Sequence, residues 1–152
     1  MAPHVIRPAA TNDARFLRDM LRHAYHRQLS EDSEWPVYRY VNNWGRPGDD
    51  GVIALEGPHA YGAAWFRLFT EDEPGFGFVD AQTPELTVAV VPSRRGKGAG
   101  AELLEALLER AREDGYTAIS LSTGKAQTAF YERFGFVQVA ENPHGVTMLA
   151  PL

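Results

Sequence analysis

The sequence predicts a mixed α/β (α+β) domain in which helices lie on the faces of one central sheet. Short apolar runs typical of strands alternate with segments of helical spacing, in the order β-α-α-β-β-β-α-β-α-β-β. A chain of 152 residues has the usual size of one domain and can bury a core without disulfides. We therefore expect a single domain over residues 1–152, with about seven strands and about four helices.

The first half of the chain contains the less regular elements. A first strand is predicted over His4 to Arg7, and the cap residues Thr11-Asn12-Asp13 precede helical spacing that continues to about Arg27. The next elements are a polar break at Ser30 to Glu34, a short helix at Trp35 to Val41, a loop at Trp44 to Gly51, strands at Val52 to Glu56 and Ala60 to Phe69, and an acidic loop at Thr70 to Gly77.

The second half is more regular. Leu86 to Val91 is a nearly continuous apolar run, which indicates a strand covered on both faces, and Pro92 ends it. A helix follows and stops before Gly115, and its apolar stripe consists of Leu103, Leu104, Leu107, Leu108 and Ala111. The last elements are a strand at Tyr116 to Ser122, a helix at Ala126 to Phe134, and strands at Phe136 to Val139 and Val146 to Leu149.

Composition excludes several classes of function. The chain has no cysteine, which rules out disulfides, cysteine nucleophiles and thiolate metal sites and fits a reducing cytoplasm. A net charge of −5 disfavours broad nucleic-acid binding, which needs a surface rich in Lys and Arg. No segment has the roughly 20 apolar residues of a membrane span, and residues 1–13 hold no run suited to a signal peptide. We expect a cytoplasmic protein that binds neither nucleic acid nor membrane.

The strongest chemical motif is the glycine-rich segment Arg95-Gly96-Lys97-Gly98-Ala99-Gly100, between a buried strand and a helix. Glycines let backbone N–H groups approach a ligand, and the first N–H groups of a helix have no partner within it. A diphosphate fits such a site, and Arg95 and Lys97 add positive charge. The alternative is a turn that needs glycine only for its conformation, but three alternating glycines favour phosphate binding.

Spacing narrows the choice of phosphate ligand. A Walker loop needs Gly-x-x-x-x-Gly-Lys-Ser/Thr, which is absent. Gly96, Gly98 and Ala101 match the Gly-x-Gly-x-x-Ala form of a dinucleotide site. The next strand, however, ends near Leu121-Ser122-Thr123 without the acidic residue that such a site requires. Nucleotide binding is therefore the weaker alternative, and it predicts affinity for NAD.

Two segments together resemble the GNAT superfamily of N-acetyltransferases. Residues Pro84 to Gly100 are similar to the family's central strand and loop, and Phe130-Tyr131-Glu132-Arg133-Phe134-Gly135-Phe136 is similar to its Tyr-x-x-x-Gly-Phe ending. The opening Ile6-Arg7-Pro8-Ala9 also resembles the family's first strand. The resemblance covers nearly the whole chain. It implies the GNAT fold, direct transfer of an acetyl group from acetyl-coenzyme A to an amine of a small molecule or peptide, and a homodimer.

The resemblance implies where coenzyme A lies. Main-chain groups of Val90 and Val91 would contact pantetheine, in the gap where this strand separates from its parallel neighbour near Leu121. Backbone N–H groups would hold the pyrophosphate, and they belong to Arg95, Gly96, Lys97, Gly98, Ala99 and Gly100. No metal or redox cofactor is required. The family's Asn and Ala upstream of the tyrosine are replaced here by Gly124 and Gln127, which leaves side-chain contacts to coenzyme A unassigned there.

The resemblance also implies two catalytic groups. An acceptor amine with a pKa near 10.4 must lose a proton at a cost of roughly 4–5 kcal/mol at pH 7, so a base should assist. Glu85 is the candidate base and Asp80 a poorer one, and the alternative for Glu85 is an ordinary exposed carboxylate at a strand end. Tyr131 occupies the position of the acid that protonates the leaving thiolate, and its alternative is a buried aromatic on an amphipathic helix.

Acceptor recognition is expected in the first half of the chain and in the loop before the central strand. The candidates are Tyr38, Trp44, Trp65, Arg67 and Glu71 to Glu73. The five histidines form no set spaced for metal ligands, and His23 and His26 are expected on the surface. Two rival functions stay open: an enzyme that uses a longer acyl-CoA, and a non-catalytic acyl-CoA-binding sensor or regulatory module.

Overall fold

A computed structural model of the chain describes residues 4–30 and 37–152, with side chains for 4–25 and 37–152. Its strands are β1 His4–Pro8, β2 Asp50–Glu56, β3 His59–Arg67, β4 Glu85–Val90, β5 Ala118–Thr123, β6 Val137–Asn142 and β7 Gly145–Pro151. They form one sheet in the order β1-β2-β3-β4-β5-β7-β6, in which β4 and β5 are parallel and the other described neighbours antiparallel. The mixed class and the seven predicted strands are confirmed.

The described residues contain three α-helices, α1 Ala14–Ser30, α2 Ala99–Glu113 and α3 Thr128–Glu132, where about four were expected. The helix predicted at Trp35 to Val41 is instead a 3₁₀ helix over Val37–Tyr40, and residues 31–36 lie outside the described part. Val37 and Tyr40 are both buried, and a helix with three residues per turn puts residues three apart on one side. None of the described helices is both long enough and apolar enough to cross a bilayer.

The helices cover both faces of the sheet. On one face α1 and the 3₁₀ helix Val37–Tyr40 pack over strand residues Ile53, Ala63, Trp65 and Ala89. On the other face the predicted apolar stripe of α2 is buried against Val52, Ala54, Ala64, Phe66 and Leu86. These strand positions alternate, as expected because successive side chains of a strand point to opposite faces. Because helices cover β4 on both faces, its side chains are apolar on both faces, and the sequence shows this as a continuous apolar run.

The parallel pair β4–β5 is short. Only Glu85↔Ser120 and Leu86↔Leu121 are in register, after which β4 continues to Val90 beside β3 while β5 continues beside β7. The two central strands therefore diverge at Leu86. This is the separation that the family resemblance implies, and it opens the sheet towards the amino end of α2.

Beside the opening of the sheet, Arg67 is fully occupied in a buried ion pair. Its guanidinium donates to both carboxylate oxygens of Asp49, at 2.9 and 2.8 Å, and to the carbonyls of Arg39 and Asn42. Both side chains of the pair are almost fully buried, at 1% and 2% exposed. The prediction that Arg67 recognises the acceptor is therefore wrong for geometric reasons, because its guanidinium fastens the loop before β2 to the end of β3.

We expect Asp49→Ala to lower the free energy of unfolding by about 3–5 kcal/mol, because it leaves the Arg67 guanidinium buried without a counter-charge. Urea denaturation measures this. The matched control is Glu56→Ala, which removes the carboxylate of the much more exposed pair Arg94–Glu56 and should cost far less. Equal losses in the two variants would contradict the structural role given to Asp49.

Candidate active site

The divergence of β4 and β5 opens a cleft of about 610 Å³. Its walls come from α1, β4, β5, α3 and the turn between β6 and β7. The polar and aromatic side chains in these walls are His23, Tyr25, Thr87, Arg95, Ser122, Tyr131 and His144. Of the two predicted catalytic residues, only Tyr131 lines this cleft.

Backbone alternation along β4 determines which main-chain groups face the cleft. The Pro84 carbonyl accepts a 2.9 Å hydrogen bond from the N–H of Ser120 in β5. Successive residues of a strand direct their backbone groups to opposite sides, so Leu86, Val88 and Val90 also face the β5 side. Since β5 has turned away after Leu86, the backbone groups of Val88 face the cleft, and those of Val90 point to the same side beyond the residues that line it.

Val91, the second predicted pantetheine contact, faces the other way. Its N–H donates to the Tyr61 carbonyl at 2.9 Å, and its carbonyl accepts from the N–H of Arg94 at 2.9 Å. The carbonyl of Val90 accepts a 3.1 Å hydrogen bond from Nε of Arg95. Val91 is therefore not placed for the predicted contact, the carbonyl of Val90 already has a partner, and Val88 is the residue at this end of β4 that lines the cleft.

The predicted glycine-rich segment forms an open cradle at the start of α2. Gly96 and Gly98 have φ values of 77° and 87°, and Gly98 is the N-cap of the helix. A Cβ at either position would meet nothing within 4 Å, so glycine is needed there for backbone conformation and not for space. Lys97 is exposed beside them, while Ala99 is buried as the first residue of α2.

The cradle fits a diphosphate. Within the described residues, no backbone hydrogen bond is donated by the N–H groups from Gly96 to Ala101, and the first helical bond runs from the Glu102 N–H to the Gly98 carbonyl. These free donors lie at the positive end of a helix, where an anion is favoured. The cradle adjoins the cleft through Arg95, so the chain provides continuous sites for an anionic head and an extended arm of one ligand.

Glu85 lies at the start of β4 but is buried, with 1% exposure, and does not line the cleft. The Tyr40 hydroxyl donates a short hydrogen bond to Oε2, and the Gly77 N–H donates to Oε1 at 3.1 Å. Burial raises the pKa of Glu85 from its ordinary 4.5 to about 7, although both hydrogen bonds oppose this shift. The alternative of an exposed strand-end carboxylate is therefore excluded. Asp80, the poorer candidate, is exposed and accepts from the N–H of Gln82.

The loop before β4 holds this carboxylate. The chain passes so close that a Cβ on Gly75 would lie 2.3 Å from Oε1 of Glu85, and a Cβ on Gly77 would lie 2.6 Å from the Leu121 backbone. The Phe76 N–H donates to the Tyr40 hydroxyl at 2.8 Å. Part of the acidic loop predicted at Thr70 to Gly77 is therefore buried structure, whereas its three acidic residues, Glu71, Asp72 and Glu73, are exposed.

Tyr131 lies in α3, and its side chain forms part of the cleft wall. Its ring packs edge-on against Phe130 and Phe136, with centroids 5.0 and 5.9 Å apart. Burial raises the pKa of Tyr131 to about 12, so the phenol keeps its proton at any physiological pH. The side chain is therefore both part of the core and a hydrogen-bond donor positioned for the cleft.

The wall opposite Tyr131 contains residues that sequence reasoning missed. Helical geometry in α1 is interrupted at Tyr25, with φ −129° and ψ 32°, and its ring contacts Tyr40 and His144 with centroids 5.2 and 4.9 Å apart. Burial lowers the pKa of His144. His23, which the helix face placed on the surface, lines the cleft. Local spacing gives no signal for this set, because its members come from chain segments more than 100 residues apart.

The acceptor candidates are scattered. Trp65 is buried and donates from Nε1 to the Tyr40 carbonyl at 3.0 Å, and Trp44 donates to the Ala10 carbonyl at 3.1 Å. Tyr38 is 37% exposed. None of these acceptor candidates lines the cleft. Within the described residues, no group of three or more His, Cys, Asp or Glu side chains could hold a metal ion.

The fold and the cleft define a class of acyltransferases, and comparison with known families supports this. The profile of the acetyltransferase (GNAT) family matches residues 15–136, which is most of the chain. The protein therefore belongs to the acetyltransferase (GNAT) family. A comparison with curated protein sequences finds no significant match.

Solved structures share the fold at low sequence identity. The PaiA N-acetyltransferase from Thermoplasma acidophilum, in complex with coenzyme A, is 14% identical, with a TM-score of 0.67 and 99% of each chain covered. A ribosomal-protein-alanine N-acetyltransferase from Brucella melitensis is 22% identical, with a TM-score of 0.70, 97% of this chain and 99% of that chain. An IAA acetyltransferase from Bacillus cereus is 20% identical, with a TM-score of 0.68, 99% of this chain and all of that chain.

The buried Glu85 should make folding stability depend on pH. Its pKa is raised in the folded state, so its contribution is fully present below about pH 4.5 and is lost as the pH rises through 7. From pH 5 to pH 8.5 we expect wild type to lose about 2.5 kcal/mol of unfolding free energy relative to Glu85→Gln. Parallel urea titrations of the two proteins measure this, and identical pH dependences would show that the carboxyl group is not perturbed.

Proposed function

We propose that this protein is an acetyl-CoA-dependent N-acetyltransferase that moves an acetyl group directly to a primary amine of a small molecule or peptide. One observation carries the proposal: the glycine cradle at the amino end of α2 continues into a cleft whose edge is the part of β4 beyond its pairing with β5. This arrangement suits an anionic diphosphate joined to an extended amide-bearing arm. A cytoplasmic location, and an acceptor other than nucleic acid, are supported by the absence of cysteine and the net charge of −5.

The chain provides binding groups along the whole length of such a thioester. The free N–H groups between Gly96 and Ala101 would hold the diphosphate. The main-chain groups of Val88 and the N–H of Val90 would pair with the amides of the arm, since the Val90 carbonyl already accepts from Arg95. Bound acetyl-CoA supplies an electrophilic thioester carbonyl. Arg95, whose guanidinium lies against the Val90 carbonyl, stands where the diphosphate and the arm meet.

Amine activation requires a base. A glutamate with a pKa of about 7 is about 2.5 units more basic than an ordinary one, and it lies near the pH at which a cytoplasmic base works best. Glu85 has this property, and the buried phenol of Tyr40 stands between it and Tyr25 in the cleft wall. Glu85 can therefore accept a proton from the cleft only through the side chains that separate it from the cleft.

Tyr131 assists departure of the thiolate. Its pKa of about 12 exceeds that of an ordinary thiol, near 8.5, by about 3.5 units, so complete proton transfer to the sulfur is uphill. A hydrogen bond from the phenol to the developing negative charge has no such cost. We therefore assign Tyr131 the stabilisation of the leaving sulfur, with the proton following as the product departs.

Self-association is proposed through the sheet edge formed by β6. This strand is exposed at five of its six residues, and it presents the apolar side chains of Val137 and Val139, which are 59% and 48% exposed. An outer strand with free backbone groups and apolar side chains readily pairs with a second copy.

Calorimetry with acetyl-CoA tests the binding site. Gly98→Asp should abolish detectable binding, because it places a negative charge in the cradle. The matched control is Gly115→Asp at the other end of α2, where φ is also positive at 91° and nothing lies within 4 Å. The control should bind as wild type does, and NAD should bind to none of the three. Failure of wild type to bind acetyl-CoA would remove the basis of the proposal.

Replacement of Tyr131 by Phe separates an enzyme from a sensor. We expect acetyl-CoA affinity to stay within about twofold, while kcat for acetylation of an amine falls about 100-fold, the usual effect of losing one transition-state donor. The control Tyr116→Phe changes another partly buried tyrosine, packed on Phe66 outside the cleft. Binding of acetyl-CoA without turnover of any amine by wild type would favour the non-catalytic module.

A further inference from the structure

We propose that Tyr25 and Tyr40 form a proton path from the cleft to the buried carboxylate of Glu85, so that Tyr25 and not Glu85 meets the acceptor amine. The inference rests on the acyl transfer proposed above. It answers a geometric problem: the chain buries its candidate base behind the wall of the cleft in which that base would have to act.

Tyr25 is the part of the path that reaches the cleft. The interruption of α1 at this residue turns its ring into the wall, where it stacks on Tyr40 with an interplanar angle of 25° and on Phe76 with 29°. The side chain is 3% exposed, so only a small part of it meets the cleft. A residue packed this closely holds its hydroxyl in one place, as a relay requires.

Tyr40 connects Tyr25 to the carboxylate. Its single hydroxyl proton is donated to Glu85, and its oxygen accepts from the Phe76 N–H. The Tyr25 ring stacks on the Tyr40 ring with centroids 5.2 Å apart. The side-chain interaction of the two phenols raises the pKa of Tyr40 and lowers that of Tyr25. Three ionisable side chains therefore stand in sequence from solvent to core.

Few charges compete with this path. Arg67 lies directly across from Glu85 in the register of β3 and β4, but its guanidinium is held by Asp49. The other titratable groups that face the path among the described residues are His144, against Tyr25, His23, which lines the same cleft, and Tyr131, which acts on Tyr25 across the cleft. Since no cation among the described side chains is paired with Glu85, its protonation is set by burial and by its two hydrogen bonds.

The proton transfer balances in one concerted movement. The ammonium group of the acceptor gives a proton to the oxygen of Tyr25, whose own proton passes to Tyr40, and the proton of Tyr40 passes to Glu85. The amine lone pair is then free to form the new C–N bond as the C–S bond breaks, and the second proton that the nitrogen loses on becoming an amide neutralises the leaving thiolate. Burial raises the pKa of both phenols well above 10, so neither accumulates as a phenolate. After product release the proton returns by the same path.

A readout without turnover tests the inner half of the path. Carbon-13 NMR of the Glu85 carboxyl in the unliganded protein should titrate near pH 7 in wild type. Tyr40→Phe removes a hydrogen bond that favours the charged carboxylate, so the midpoint should move to higher pH by about one unit. An unchanged midpoint in Tyr40→Phe would overturn the inner link.

Kinetics test the outer half. Wild-type kcat/KM should rise with pH through about 7. In Tyr25→Phe, kcat should fall about 100-fold and this rise should disappear, while the Kd for acetyl-CoA and the carboxyl titration of Glu85 stay as in wild type. In Tyr40→Phe the rise should move to higher pH. Tyr116→Phe controls for loss of a phenol elsewhere.

The outcomes separate this inference from the proposed function. If Tyr25→Phe transfers acetyl groups at the wild-type rate with the same pH rise, the path is wrong and the acetyltransferase proposal stands. The path is also overturned if His144→Gln removes the rise while Tyr25→Phe keeps it, since His144 is then the base. If wild type binds acetyl-CoA but acetylates no amine, the proposed function fails and the path fails with it.

Discussion

The pairing of β4 with β5 lasts for two residue pairs, and the chemistry of the molecule depends on where it stops. Longer pairing would bury the main-chain groups of Val88 and Val90 in a ladder and would leave no cleft between α1 and α3. The loop before β4 packs beside this short pairing, where its backbone at Gly77 lies against Leu121 at the last paired position. One local limit on strand pairing thus creates a ligand edge, a cavity and a wall of aromatic side chains.

Two buried ionisable side chains on neighbouring strands have very different partners. Arg67 in β3 and Glu85 in β4 are register partners, yet they do not neutralise each other. Arg67 is bound by Asp49 and two carbonyls, which fixes a loop. In the described part of the chain, Glu85 accepts hydrogen bonds from a phenol and an amide N–H. A nearby cation keeps a buried carboxylate charged, whereas for Glu85 burial outweighs the two hydrogen bonds and raises the pKa to about 7. Because Arg67 is paired with Asp49, Glu85 can gain and lose a proton near neutral pH.

The sequence predicts well whatever depends on short spacing. The strands, the α2 stripe, the glycine cradle and the position of Tyr131 follow from periodicity and two linked motifs. The burial of Glu85 does not, because a carboxylate at a strand start is usually exposed, and here burial depends on Tyr40 and Gly75. The contact between Tyr25 and His144 cannot be predicted from the sequence for a related reason, because the sheet brings these distant segments together. The interruption of α1 also has no local signal, since no glycine or proline marks it.

The divergence of the central strands gives this sheet a third border. Besides the outer strands β1 and β6, the carboxyl end of β4 has an edge inside the molecule that is not paired with β5. Such a border accepts any extended chain of amides, peptide or not. The arginine over the Val90 carbonyl and the depth of the cleft restrict which chains can reach it. The proposed mode of ligand recognition is thus a form of strand addition, in which a small molecule occupies the place of a missing strand.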